Sequence, residues 1–122
     1  MNILQKMWQV YLDRIDAAAK LLHLPTFWSQ LTDVIREPHD IPKSLEAIVF
    51  AFYLVICRSL EDDECISLLG EQKPTIFARY KLAAHQALIK ANFLNTSSLM
   101  TLQAFLLYLV SVSSPYMGPA SH

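Results

Sequence analysis

The side chains best suited to chemistry in this 122-residue sequence are Glu46, Tyr53, Cys57 and His85. Glu46, Phe50, Tyr53 and Cys57 recur at i, i+4, i+7 and i+11, so a helix here places all four on one face. A carboxylate on an otherwise apolar face offers acid–base chemistry or anchors a ligand at the edge of a pocket. The blander use of Glu46 is an ion pair with Arg79 or Arg58. His85 falls in line with Lys81 and Asn92, beside an apolar face. An imidazole there would move protons, or simply sit at the rim with a hydrogen bond. Cys57 reads as an inert thiol, because apolar surroundings raise its pKa. His23 suits the end of a helix, His39 a loop and His122 the terminus.

Other chemistries are excluded by residue type and spacing. Two cysteines eight apart and four scattered histidines make no zinc pattern, so no metal is expected. No GxSxG or HExxH motif is present. Gly70 and Gly118 are the only glycines, so neither a P-loop nor GxGxxG can be written, and no cofactor is expected.

The chain is 53% hydrophobic, 17% charged and contains 6 Pro. Typical chains are about 25% charged, so disorder and a basic nucleic-acid tail are excluded. Scarce glycine argues against a turn-rich β fold. Residues 1–72 carry 11 acids and 6 bases, net −5, and residues 73–122 carry 4 bases and no acid, net +4. The acidic run Glu61-Asp62-Asp63-Glu64 is expected to lie beside the basic segment that follows it. Four bases make too thin a stripe for DNA or RNA, so no direct nucleic-acid contact is expected. The apolar stretches 47–57 and 102–112 fall short of the ~20 residues that span a bilayer, so no membrane span is expected. No leader segment is visible at the N-terminus. Unpaired cysteines fit a reduced intracellular compartment, cytoplasm or nucleus.

Periodicity and punctuation predict an all-α fold, a compact bundle of about six helices. Leu4, Trp8, Tyr11, Leu12, Ile15, Ala19 and Leu22 form the stripe of a first helix over 2–22, ended by His23-Leu24-Pro25. A second helix follows with Thr26 as N-cap and Phe27, Leu31, Val34 and Ile35 inward. Pro42 opens a third over 42–59, apolar almost all round and therefore central. Asp62, Asp63 and Glu64 suit the first turn of a fourth, stopped by Gly70. Pro74 opens a fifth over 74–92, with Phe77, Tyr80, Ala84, Ala87, Leu88 and Ala91 inward. Asn95-Thr96-Ser97-Ser98 caps a sixth over 98–112. The domain is taken as residues 1–112, with a flexible tail over 113–122. Trp8 and Trp28 are read as core rather than as a platform for bases.

Several ordered segments carry a family resemblance. They are Leu22-His23-Leu24-Pro25-Thr26-Phe27, then Ser44-Leu45-Glu46-Ala47-Ile48-Val49-Phe50-Ala51-Phe52-Tyr53, then Ser59-Leu60 with Glu64-Cys65. Leu69-Gly70-Glu71, Ala78-Arg79-Tyr80, Ala87-Leu88 through Ala91-Asn92-Phe93-Leu94-Asn95-Thr96, and Leu102-Gln103-Ala104-Phe105 complete the series. Over residues 7–110 the chain resembles the regulatory middle homology domain of fungal zinc-cluster transcription factors. The resemblance implies an all-α fold, a fungal source, and a role in regulation, ligand sensing or dimerisation. It carries over no catalytic residue. The six-cysteine zinc cluster with which such factors read DNA is not among these residues.

Two functions follow as expectations. The first is a regulator-derived helical module that binds a hydrophobic ligand, a second copy in a homodimer, or a protein partner. The second is an enzyme of fungal secondary metabolism built on that scaffold, cyclising or isomerising a polyketide- or terpene-like substrate. In that case Glu46, Tyr53 and His85 would be catalytic, while Phe50, Cys57 and Phe105 would line the ligand site. In the family the domain continues with further helices. The face of the sixth helix bearing Leu102, Phe105, Leu106 and Leu109 is therefore expected to need a cover or to wall a pocket.

Overall fold

The computed structural model describes residues 3–15, 24–36 and 41–113. Among them the chain forms six α-helices, one 3₁₀ turn and no strand, so the fold is all-α. The helices are α1 (Ile3–Arg14), α2 (Leu24–Arg36), α3 (Lys43–Ser59), α4 (Asp62–Leu69), α5 (Lys73–Lys90) and α6 (Leu99–Ser113), with the 3₁₀ turn at Phe93–Asn95. Ala19 and Leu22, assigned to the first helix by periodicity, and the tail beyond Ser113 lie outside the described residues.

α3 is the hub, as its composition requires. It packs chiefly on α5 and α6. Its buried side chains include Ala47, Ile48, Ala51, Phe52, Leu54, Val55, Ile56 and Cys57, which point in every direction around the helix. A helix apolar all round is stable only where neighbours cover each side. α1 and α2 cover one side through a knot of aromatic rings. Trp8 lies 4.9 Å from Trp28 and 5.9 Å from both Phe27 and Phe52, between ring centroids. Phe52, fully buried, also meets Phe27 at 5.1 Å and Tyr11 at 5.5 Å. Tilted and edge-on rings at such spacing add about 0.5–1.5 kcal/mol per pair beyond the area they bury. Both tryptophans therefore belong to the packed interior and its rim.

Helix ends follow local chemistry. α4 begins with a capping box, in which Glu61 and Glu64 exchange side-chain-to-backbone bonds. It ends at Gly70, whose φ of 81° lies in the left-handed region that glycine enters freely. At the start of α6 the Ser98 hydroxyl accepts a bond from the Thr101 N–H at 3.2 Å, satisfying one of the orphan donors of the first turn. α2 departs from the expected start. It begins at Leu24, so Pro25 sits in its first turn and Thr26 lies inside it rather than capping it. Proline suits that turn, since its missing N–H would have no partner there. Ile35, expected inward, faces solvent. Successive i+4 steps advance 40° around a helix, so Ile35 has rotated off the face that Phe27 and Leu31 bury.

Candidate functional site

The α3 face carrying Glu46, Phe50, Tyr53 and Cys57 lies against neighbouring helices. Glu46, half-buried, sits 3.9 Å from the exposed Lys90 ammonium at the far end of α5. Arg79, one of its expected partners, instead grips Glu71 with bonds of 2.6 and 2.7 Å. The Tyr53 ring meets Tyr80 of α5 at 5.5 Å and Phe50 edge-on at 6.4 Å. Burial raises the phenol pKa of both Tyr53 and Tyr80, so neither is poised as a base near neutrality. Burial, reinforced by the adjacent Cys65 thiol, pushes Cys57 up to about 12. A thiol so raised is not a nucleophile.

His85 is exposed on α5, with Nδ1 3.4 Å from the Tyr108 hydroxyl of α6. Phe105 stacks at a tilt on Phe93 with 4.8 Å between centroids. It thereby ties α6 to the 3₁₀ turn. Glu46, Tyr53 and His85 thus engage three different neighbours, Lys90, Tyr80 and His85's own partner Tyr108. None of the three lines the grooves that indent the surface.

The densest electrostatic arrangement is one that spacing does not announce. Arg14, the last residue of α1, donates to Glu64 at 2.8 and 2.5 Å and to the Ser59 carbonyl at 3.0 Å. Glu64 also accepts from the Glu61 N–H at 2.8 Å. The guanidinium and that N–H together hold the Glu64 carboxyl down at about 2. On the other side, Lys73 donates to the carbonyls of Arg58 at 3.1 Å and Leu60 at 2.6 Å. A cation there satisfies orphan carbonyls and complements the negative end of the α3 dipole. Of the acidic run, Glu64 pairs with a base from α1, while Lys73 of the following segment sits nearby and binds backbone carbonyls instead. No local pattern marks Arg14, since its carboxylate partner is 50 residues away.

A groove of about 610 Å³ opens at this junction, walled by Arg58, Glu61, Asp62, Asp63 and Lys73 and floored by Pro74, Phe77, Ser111 and Val112. Its size falls within the range of small-molecule sites. Among the described residues no group of three or more His, Cys, Asp or Glu is placed to hold a metal ion. Among them, too, no helix is long and apolar enough to cross a membrane.

The second feature of note is α6. Thr101, Ala104, Leu107 and Ser111 are its buried side. Opposite them Leu99, Leu102, Leu106 and Leu109 remain 70%, 42%, 46% and 37% exposed. Phe105, expected in this outer set, is turned partly inward onto Phe93.

Sequence comparison finds relatives among fungal transcription factors. A transcription factor of the aurofusarin cluster of Gibberella zeae is 41% identical over 107 residues, 88% of this chain. The chain is similar to one segment of fungal transcription factors. The transcriptional regulator nsrM of Aspergillus novofumigatus is 38% identical over 116 residues, 95% of the chain. The C6 finger domain transcription factor adaR of Aspergillus niger is 28% identical over 120 residues. The chain spans only about 16% of the length of the first two of these relatives. No family model and no solved structure matches it. The homology, spread over nearly the whole chain, agrees with the resemblance carried by the motifs between residues 7 and 110.

Proposed function

We propose that this chain is a regulatory helical module of the fungal gene-cluster transcription factor type, working by contact rather than by reading DNA. The observation that carries this reading is the 41% identity over 88% of the chain to a regulator of the aurofusarin cluster. Two features support a contact role. α6 carries no charge and leaves Leu99, Leu102, Leu106 and Leu109 exposed opposite its buried side, and four bases from residue 73 onward give little grip on phosphates. The place of action is inside the cell, in the nucleus or cytoplasm. An enzymatic role has no assembled constellation behind it, since Glu46, Tyr53 and His85 are dispersed over separate contacts.

A segment exchange tests the reading. This chain replaces the matching segment of the Gibberella zeae regulator, and transcripts of the aurofusarin cluster are measured. The hybrid is expected to activate the cluster. Activation by the deleted regulator lacking any insert, or none by a stably expressed hybrid, would refute the proposal. A second reading is that the groove beside Lys73 admits an apolar small molecule, with charge of both signs at its mouth. A screen of fungal polyketides by thermal shift checks it. Stabilisation lost on Phe77→Asp is the expected outcome, and stabilisation indifferent to that change counts against the groove.

A further inference from the structure

The polar groups around the 610 Å³ groove differ in what they leave open. Its donors are largely spent. Lys73 gives its ammonium to the carbonyls of Arg58 at 3.1 Å and Leu60 at 2.6 Å. Ser111, fully buried, donates its hydroxyl to the Leu107 carbonyl at 2.8 Å. Arg58 is not free either. The acceptors are open. Asp62 and Asp63 line the groove, are exposed, and make no hydrogen bond or ion pair among the described residues. Glu61 adds a third carboxylate, tied into the capping box of α4. Beneath them Pro74, Phe77 and Val112 form an apolar floor.

This imbalance selects by charge. An anionic or carbonyl-bearing ligand would face carboxylates with few donors to spare, and would lose hydration without replacement. A ligand with an ammonium head brings the donors that the two aspartates lack. Phe77 favours the same sign, since an aromatic face attracts cations at short range. We infer that the groove takes an organic cation, with a ring-bearing apolar body on Pro74, Phe77 and Val112 and an ammonium head against Asp62 and Asp63. This inference rests on the second reading above, that the groove admits a small molecule, and names the charge of that molecule.

Three probes with one naphthalene body test it: 2-(1-naphthyl)ethylamine, 2-(1-naphthyl)ethanol and 1-naphthylacetic acid. The whole chain, labelled with ¹⁵N, is titrated with each to about 5 mM, a range that covers ligands of fragment size. The amine is expected to bind at least about fivefold more tightly than the alcohol, the scale of one or two screened ion pairs. The acid is expected to bind more weakly than the alcohol. Amide shifts should centre on Asp63, Phe77 and Val112. The double variant Asp62→Asn, Asp63→Asn is expected to erase the advantage of the amine and leave the Kd of the alcohol unchanged. Circular dichroism confirms that it keeps the helical fold, and Asp63→Asn alone, expected to remove part of the advantage, serves if it does not. Equal binding of amine and alcohol, or an advantage that survives these substitutions, overturns the cation and leaves the groove as a site for neutral apolar molecules. Failure of all three probes to shift the groove amides overturns both readings.

Discussion

Removing the Glu64 carboxylate tests the largest electrostatic claim made by the structure. That one side chain closes the capping box of α4 and anchors α1 through Arg14. Its pKa falls from 4.5 to about 2 in the folded chain. At full strength a depression of that size corresponds to about 3 kcal/mol. Both partners are more than one third exposed, at 37% for Arg14 and 35% for Glu64. Solvent screening therefore leaves about 1 kcal/mol for the pair. The cap contributes about 1 kcal/mol more. Glutamine at the third position of a capping box still reaches the backbone N–H. Glu64→Gln is thus expected to cost about 1 kcal/mol, and Glu64→Ala about 2 kcal/mol.

In a domain of this size each kcal/mol lowers Tm by about 4 °C, which thermal unfolding followed by circular dichroism resolves. The pH dependence carries the sign. A carboxyl with a lowered folded pKa contributes its stability above pH 4.5, and that stability fades as pH falls toward 2. The gap between wild type and Glu64→Gln should be full at pH 6 and shrink progressively below pH 4.5. Equal losses for the two variants would remove the cap from the account. A gap that stays constant from pH 6 to pH 2.5 would show that charge has no part in it.

Three further outcomes follow from packing and backbone. Phe52→Ala removes the ring shared by α1, α2 and α3, and chemical denaturation should read a loss of about 3–5 kcal/mol; a loss below 1 kcal/mol would mean the aromatic knot is not built as described. At Gly70 an added Cβ meets nothing within 4 Å, so Gly70→Ala costs only the strain of a positive φ, about 1 kcal/mol, and Gly70→Asn less, as paired melts would show. With its thiol at about 12, Cys57 should resist a thiol-reactive disulfide reagent at pH 8 in the folded chain and react on unfolding; prompt labelling of the native protein would contradict its buried placement.

Much of the architecture was readable residue by residue. Pro42, the acids at 62–64, Gly70, Pro74 and Ser98 each act within one helical turn, through local sterics or a bond to the nearest backbone. Helices three to six accordingly start within about a residue of where these signals place them, while the fifth stops at Lys90, two residues short of its expected end at 92. The start of α2 was misplaced because Pro25 serves two opposite purposes, ending one helix or opening the next, and its own neighbourhood does not distinguish them. The candidate site was less legible. The shared face of Glu46, Phe50, Tyr53 and Cys57 was evident from spacing, but spacing does not say whether a face borders a pocket or a neighbouring helix. Tyr80 and Cys65 occupy it.

The sequence by itself determined the helical class, most helix ends, the centrality of α3 and the kinship with fungal regulators. All of these depend on composition, local bonding or inherited residue order. Only the tertiary structure decided which residues meet across long separations, as Arg14 meets Glu64 from 50 residues away. It also adjusted the outer side of α6. The sequence places Leu102, Phe105, Leu106 and Leu109 on the side that needs a cover; packing leaves Leu102, Leu106 and Leu109 there, adds Leu99, and draws Phe105 onto Phe93 of the 3₁₀ turn, a contact that periodicity along α6 does not encode. Thr101, Ala104 and Ser111 pack inward beside Leu107, and the other four leucines of α6 are left on the outer surface.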